Sequence, residues 1–190
     1  MLYLVGGASR AGKSILARKL AKKIGASYMP LDSFFISMHQ AFPEAGVKGN
    51  QADDEKAKRM WKFQKSIFDY LIYCNDMDYV IEGVTMLPSQ VSRFLKRNPK
   101  HAKAVFIGYA DTTEIEKYNK NMNHKDNPND WLTPLNKNYQ YRHYSKNIER
   151  SKRLEKECAR VGIPFFDTSK DFEKAHKQAM TYLMKDNVHA

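Results

Sequence analysis

Short apolar runs alternate with amphipathic stretches along this chain. LYLV (2–5) is a continuous apolar run, the pattern of a strand buried on both faces. The period then changes: Leu16, Ala17, Leu20, Ala21 and Ile24 share one helical stripe, and Gly25 stops it. SYMPL (27–31) reads as a second strand, with Pro30 suited to a sheet edge. FFISM (34–38) predicts a short helix, and residues 41–52, with Pro43, Gly46 and Gly49, predict a mobile loop. A long helix is expected over 53–73, with Ala57, Met60, Trp61, Ile67, Phe68 and Leu71 at helical spacing. YVIEG (79–83) is a third buried strand, followed by a helix near 89–97 that Pro88 opens. AVFIGYA (104–110) is a fourth strand, with a helix around 112–120 after it. The polar stretch 121–136 predicts a loop or lid, and a long charged helix follows over 137–160. IPFFD (163–167) is the fifth strand, and 170–185 the last helix. Alternating strands and helices imply an α/β fold with a parallel sheet and right-handed crossovers, in one domain spanning 1–190.

The stretch between the first strand and the first helix carries chemistry. Gly7-Ala8-Ser9-Arg10-Ala11-Gly12-Lys13-Ser14 fits G-x-x-x-x-G-K-[ST], in the strand–loop–helix setting that this phosphate-binding (Walker A) motif requires. Gly7 and Gly12 permit backbone angles that a Cβ forbids, so the loop amides can turn inward as a nest for phosphate oxygens. The following helix adds the positive end of its dipole. Lys13 is expected to reach the β- and γ-phosphates of a nucleoside triphosphate, and Ser14 to ligate the bridging Mg²⁺. Arg10 either adds charge over the phosphates or faces solvent.

Three further features narrow the chemistry. Asp32 follows the second strand, where ligands of a doubly wound sheet gather. It is placed to accept the proton of an acceptor hydroxyl, to hold the metal's water shell, or to cap the next helix. Glu82 ends a buried strand, the usual place of a second metal-shell carboxylate, though a surface glutamate just past the strand also fits. The N-K-x-D signature of GTPases is missing after the fourth strand, where the chain reads IGYADTTE, and the length excludes large ATPase modules and motors. Small kinases remain.

Charge shifts the picture only slightly. Lys and Arg outnumber Asp and Glu by 32 to 21, a net +11. That balance favours phosphorylated small molecules, nucleic acid or a membrane surface, or simply aids solubility. In the long helix, Arg142, Lys146, Arg150 and Arg153 fall on one face, a stripe that would neutralise charge on a moving phosphoryl group or remain solvated beside Glu149, Glu155 and Glu157. Tyr141, Tyr144, Ile148, Leu154 and Cys158 would seat that helix. The basic run 92–103 reads as surface, and Trp61 and Phe68 as core or pocket wall. His39, His101, His124 and His143 lack metal-ligand spacing; His124 and Trp131 would touch substrate if the lid closes. Cys74 and Cys158 fall at apolar helical positions and read as reduced core residues. With no signal-peptide pattern and no apolar run near the ~20 residues of a membrane span, a cytoplasmic location is expected.

Taken together, LVGGASRAGKS, LDSFF, VIEGVTMLP and YQYRHYSKNIERSKRLEKECARVGIPFFDTS resemble the small P-loop kinases of the adenylate kinase-like superfamily. The pattern is most similar to the kinase domain of 2-phosphoglycerate kinases, and more distantly to zeta toxin and chloramphenicol phosphotransferase. The resemblance implies a P-loop NTPase fold: a five-stranded parallel sheet in the order 2-3-1-4-5, helices on both faces, and a lid over about 121–150. It also implies ATP with Mg²⁺, lid arginines at the phosphates, and Asp167-Thr168-Ser169 near the adenine. This chain departs from the family in that its lid stretch NHKDNPNDW has no arginine and the segment 41–52 has no counterpart. The expected activity is transfer of the γ-phosphoryl group of ATP to a small hydroxylated or phosphorylated acceptor, seated between residues 32–50 and the loop after Glu82. Lys13, Asp32, Arg142 and Arg150 are the expected catalytic set, residues 7–14 and Thr168 the nucleotide contacts, and Ser14 and Glu82 the metal contacts. The alternative is a nucleic-acid-associated or regulatory P-loop ATPase, which would show a basic track outside the cleft.

Overall fold

In the computed structural model, which describes residues 1–122 and 130–185, five parallel strands stand in the order β2-β3-β1-β4-β5. They are β1 (Leu2–Gly7), β2 (Ser27–Pro30), β3 (Tyr79–Gly83), β4 (Ala102–Gly108) and β5 (Phe165–Asp167). The helices are α1 (Lys13–Ile24), α2 (Leu31–Ala41), α3 (Asp53–Cys74), α4 (Pro88–Arg97), α5 (Glu114–Met122), α6 (Lys137–Val161) and α7 (Phe172–Met184). The expected strand order holds, and Pro30 does sit on an edge strand, where a missing N–H costs no ladder bond. Residues 123–129 of the expected lid, His124 among them, lie outside the described residues, and so does the tail beyond 185.

Each face of the sheet has its own core. Leu16, Ala17 and Leu20 of α1 and Ala179 and Leu183 of α7 pack on Tyr3, Val5, Val80, Val105 and Ile107. Phe68 of α3, Val91 and Phe94 of α4, and Leu154 and Cys158 of α6 pack on Leu2, Leu4, Ile81, Ala104 and Phe106. Strands covered on both faces are why the central runs read as continuously apolar. The glycine-rich loop between β1 and α1 leaves the sheet at the carboxyl end of β1, where ligands of such sheets gather.

Several boundaries moved. The helix expected at 34–38 runs over Leu31–Ala41, because Leu31 buries itself against Gly83 at the end of β3. Pro30 is therefore the N-cap residue, and Asp32 lies inside the first turn instead of capping it. The expected loop at 41–52 carries a 3-10 turn at Pro43–Ala45 and a buried Val47, whose carbonyl bonds His39 Nδ1 at 3.0 Å. Cys74 ends α3 exposed, so it is not a core residue; Leu71 and Ile72 still pack against the core in the last turn, while Tyr70 and Tyr73 are also exposed. Cys158 is buried and free, and burial pushes its thiol up to about 12.

Candidate functional site

Local backbone geometry shapes the loop after β1. Gly7 has φ 144°, and a Cβ there would collide with the carbonyl oxygen of Ile107, to which Ala8 N donates at 3.1 Å. Gly12 has φ 92°, and a Cβ there would meet the rings of Phe172 at 2.6 Å and His176 at 2.8 Å. Two requirements, a left-handed backbone and a ring stack beneath it, thus exclude any side chain at position 12. Between the glycines Arg10 is also left-handed, φ 62°. Among the described residues, the backbone N–H groups of Arg10, Gly12, Lys13 and Ser14 donate to no protein acceptor. These amides at the start of α1 form a concave donor array that suits a phosphate. Ser9 N is already engaged: it donates to Asn147 Oδ1 of α6 at 3.0 Å.

Lys13 and Ser14 meet Glu82 across the loop. Lys13 is buried, donates from Nζ to Ala8 O at 2.8 Å, and has its pKa lowered. Desolvation is the main cause, opposed by Glu82 and Asp32 and reinforced by Arg150. Ser14 Oγ donates to Glu82 Oε1 at 2.9 Å, and Tyr28 Oη of β2 donates to the same oxygen at 3.0 Å. Burial, then Glu82, holds the Tyr28 phenol above its usual range, so it stays a donor. Ser14 and Glu82 offer hard oxygen donors beside a phosphate nest, the donor set that Mg²⁺ prefers.

Asp32 completes the inner cluster from the first turn of α2. Its carboxyl is held above the ordinary carboxylate range, first by desolvation and then by Glu82 and Asp53, against the pull of Lys13. The side chain is nonetheless open to solvent, as a group serving an incoming molecule must be.

The basic stripe of α6 divides. Arg142 and Lys146 are exposed, and Arg153 is mostly exposed, reaching Asp54 Oδ2 at 3.4 Å. Arg150 is only 4% exposed. It donates to Asp54 Oδ1 at 3.0 Å, Asp53 Oδ2 at 3.2 Å, Gly7 O at 3.3 Å and Val84 O at 2.7 Å. One guanidinium therefore joins α3, the end of β1 and the chain after β3. Asp53 and Asp54 are residues that sequence reasoning missed. Acids in a first helical turn satisfy the helix dipole wherever they occur, so nothing marked them as partners of a residue nearly a hundred positions away.

Arg10 neither crosses the loop mouth nor faces solvent. It pairs with Asp130 and lies 5.6 Å from the centre of the Trp131 ring. Burial pushes the Asp130 carboxyl up, but Thr133 and Arg10 outweigh it and hold it at about 2. Trp131 packs edge-on to His143 at 5.1 Å, and the neutral His143 ring accepts at Nε2 from Asn147 Nδ2 at 3.2 Å. The chain after the undescribed segment is thereby tied to the loop through Arg10 and through Ser9. At the other end of the cleft, Thr168 Oγ1 donates to Gly108 O at 2.9 Å, and Asp167 accepts from Ala110 N and Ser169 N at 2.6 Å each. The turn expected near an adenine is thus fixed against β4, with the threonine hydroxyl occupied. Two buried groups, a lysine and a histidine, also escaped sequence reasoning. Lys117 of α5 lies 4.3 Å from the centre of the Tyr109 ring, and burial, then Lys120 and Arg10, lowers it to about 8. His176 lies beneath Gly12.

His143 gives the site a pH dependence. Its pKa falls to about 4, chiefly through burial and then through Arg10, with Lys146 adding and Asp53 opposing. The unfolded chain, near the ordinary 6.5, takes up the proton first, so stability is full above that value and falls as pH drops from about 6.5 to 4. His176 is lowered too and acts in the same direction, while the raised Asp32 acts in the opposite one. His143→Gln is therefore expected to flatten the decline in Tm over that window relative to the unsubstituted chain. Parallel curves would mean that His143 ionises freely in the folded state.

Solved structures share this architecture. A gluconokinase from Sinorhizobium meliloti 1021 matches with TM-score 0.59 at 16% identity, over 95% of this chain and 90% of that one. A shikimate kinase from Bacteroides thetaiotaomicron matches with TM-score 0.57 at 12% identity, over 97% and 96%. A sugar kinase from Janibacter sp. HTCC2649 matches with TM-score 0.54 at 17% identity, over 96% and 93%. No protein-family model matches the sequence, and no curated protein sequence does. Among the described residues no helix is long and apolar enough to cross a membrane. The strand order, the loop at the end of β1 and these likenesses give the chain the α/β P-loop NTPase fold, which these solved structures share.

Proposed function

We propose that this chain is an ATP-dependent phosphotransferase that moves the γ-phosphoryl group of ATP to a hydroxyl of a small metabolite. The observation that carries the proposal is the convergence of unpaired loop amides, Lys13 and the Ser14–Glu82 pair with the carboxylate of Asp32. The amides of Arg10, Gly12, Lys13 and Ser14 receive the triphosphate, and Lys13 exchanges its bond to Ala8 O for one to a phosphate oxygen. Mg²⁺, held through Ser14 with Glu82 behind it, supplies charge neutralisation and orients the phosphate oxygens. Asp32 takes the proton of the acceptor hydroxyl as the phosphoryl group moves. Arg150 acts by holding Gly7 and the chain after β3 in place, while the exposed Arg142, within a lid over about 121–150, is the arginine free to approach the moving group. The Thr168 turn borders the adenine. Free thiols in both cysteines suit a reducing cytoplasm.

The sequence motifs direct the choice of acceptor toward 2-phosphoglycerate, and the structural neighbours toward polyhydroxy acids and sugars. A coupled ADP-release assay across those compounds, with Asp32→Asn in parallel, is the test. The variant is expected to lose about 10²–10⁴-fold in kcat with little change in KM for ATP, the size of a lost general base. Normal turnover by Asp32→Asn would remove the base from the scheme. A chain that binds no nucleotide in the presence of magnesium would remove the scheme itself.

A further inference from the structure

Tyr28 plays no part in the scheme above, yet its hydroxyl lies on the carboxylate assigned to the metal. Across the β2–β3 ladder Pro30 pairs with Glu82 and Tyr28 with Val80. Tyr28 is therefore on the same sheet face as Glu82 but two residues back, about 6.6 Å at the usual strand rise. A phenol spans that distance, and its Oη donates to Glu82 Oε1 at 3.0 Å. No nearer neighbour on that face can replace it. Pro30, directly beside Glu82, has neither N–H nor hydroxyl to offer, and Val5, on its other side in β1, is apolar. Ser14, another described donor to Oε1, is itself a metal contact in the proposed scheme, whereas Tyr28 is an anchor of Glu82 that ligand binding does not recruit. The ring is fixed in turn: it packs on the core beneath α1, and the Arg18 guanidinium lies 5.3 Å from its centre.

We propose that Tyr28 is a positioning residue for the metal: its hydroxyl holds the buried Glu82 carboxylate in the orientation that Mg²⁺ binding beside Ser14 requires. The inference rests on the phosphotransferase reading of Ser14 and Glu82. Residues that orient metal-binding groups commonly control metal affinity without touching the ion.

Tyr28→Phe removes the hydroxyl and keeps the ring, so packing and the Arg18 contact with the ring remain, while the hydroxyl's bond with Arg18 is lost along with the one to Glu82. The full chain is titrated by calorimetry with a non-hydrolysable ATP analogue at stepped Mg²⁺ concentrations and again in EDTA. The Mg²⁺ needed for half-maximal enhancement of binding is expected to rise about tenfold in Tyr28→Phe, with affinity in EDTA unchanged. A merely structural role would weaken both. In a Glu82→Gln background the same substitution is expected to add nothing, because the two residues act as one unit. The inference is overturned if Tyr28→Phe keeps the wild-type Mg²⁺ requirement, or if it raises that requirement equally when Glu82 is already glutamine. A wild-type chain whose binding of the analogue is indifferent to Mg²⁺ refutes the metal role of Ser14 and Glu82, and the inference falls with it. The wild-type curve alone distinguishes that failure from the other two.

Discussion

Arg150→Ala is expected to lower folding stability by about 3–5 kcal/mol, the range for removing one partner of a buried charge network. The guanidinium is 4% exposed, and its loss leaves the carbonyls of Gly7 and Val84 without a donor. Each such buried acceptor costs about 1–3 kcal/mol. Asp53 and Asp54 add less, because their side chains are 23% and 34% exposed and water can replace part of what they lose. For a chain of this size the change corresponds to a fall in Tm of about 10 °C. Arg150→Lys should recover little of it, since one ammonium cannot reach carboxylates and carbonyls on three elements at once. Urea denaturation of the three proteins measures the difference. A loss below 1 kcal/mol (on the scale of an exposed ion pair) would mean that the network is screened and that the loop does not depend on it.

Under the proposed scheme, Lys13→Ala is expected to produce the largest functional effect and almost no structural one. Removing a single donor aimed at developing charge commonly costs about 10²–10³ in rate, and in the proposed scheme this one also binds the ground-state phosphates, so about 10³ or more in kcat/KM is expected. Its effect on stability has a different sign structure. The ammonium is desolvated, and that burial is the main reason its pKa is lowered. Deleting it removes an unfavourable burial as well as the 2.8 Å bond to Ala8 O, and the two changes offset each other. The apo protein should melt close to wild type, whereas the rise in Tm given by Mg-ATP should disappear. Thermal melts with and without nucleotide check both halves. A variant that still gains full stabilisation from ATP would show that the nucleotide is held elsewhere.

The contrast between these two residues explains how much was legible in the sequence. Lys13 lies in a motif whose parts are five residues apart, and every member answers a local demand: a left-handed turn at Gly12, a helix start at Lys13, amides with nowhere else to donate. Local demands leave a written pattern. Strand positions were legible for a similar reason, because burial on both faces forces runs such as VIEG and VFIG to be apolar. Arg150 was visible as part of a basic stripe, but its burial was not. Its partners Asp53 and Asp54 come from the far side of the chain, and in sequence they look like ordinary first-turn acids. Arg10 shows the same limit: the loop arginine was expected to face phosphate or water, and it found Asp130 instead. Asp32 was expected near the loop and acts electrostatically on Lys13, but its place within α2 depended on Leu31 fitting beneath Gly83, a contact between distant segments. Cys74 was misjudged because helical spacing groups it with Ile67 and Leu71, whereas at the end of α3 the core is met by Leu71 and Ile72 and Cys74 is exposed.

The span of the Arg150 contacts bears on how the protein is made. A ribosome delivers the whole GGASRAGKS segment, β3 and the acidic start of α3 well before it delivers residue 150. Until that arginine emerges, the carbonyls of Gly7 and Val84 have no cation to gather them, so the nascent chain carries the signature of a nucleotide-binding protein without its finished pocket. Competence would then be gained late in synthesis, when the second half of the polypeptide docks on the first.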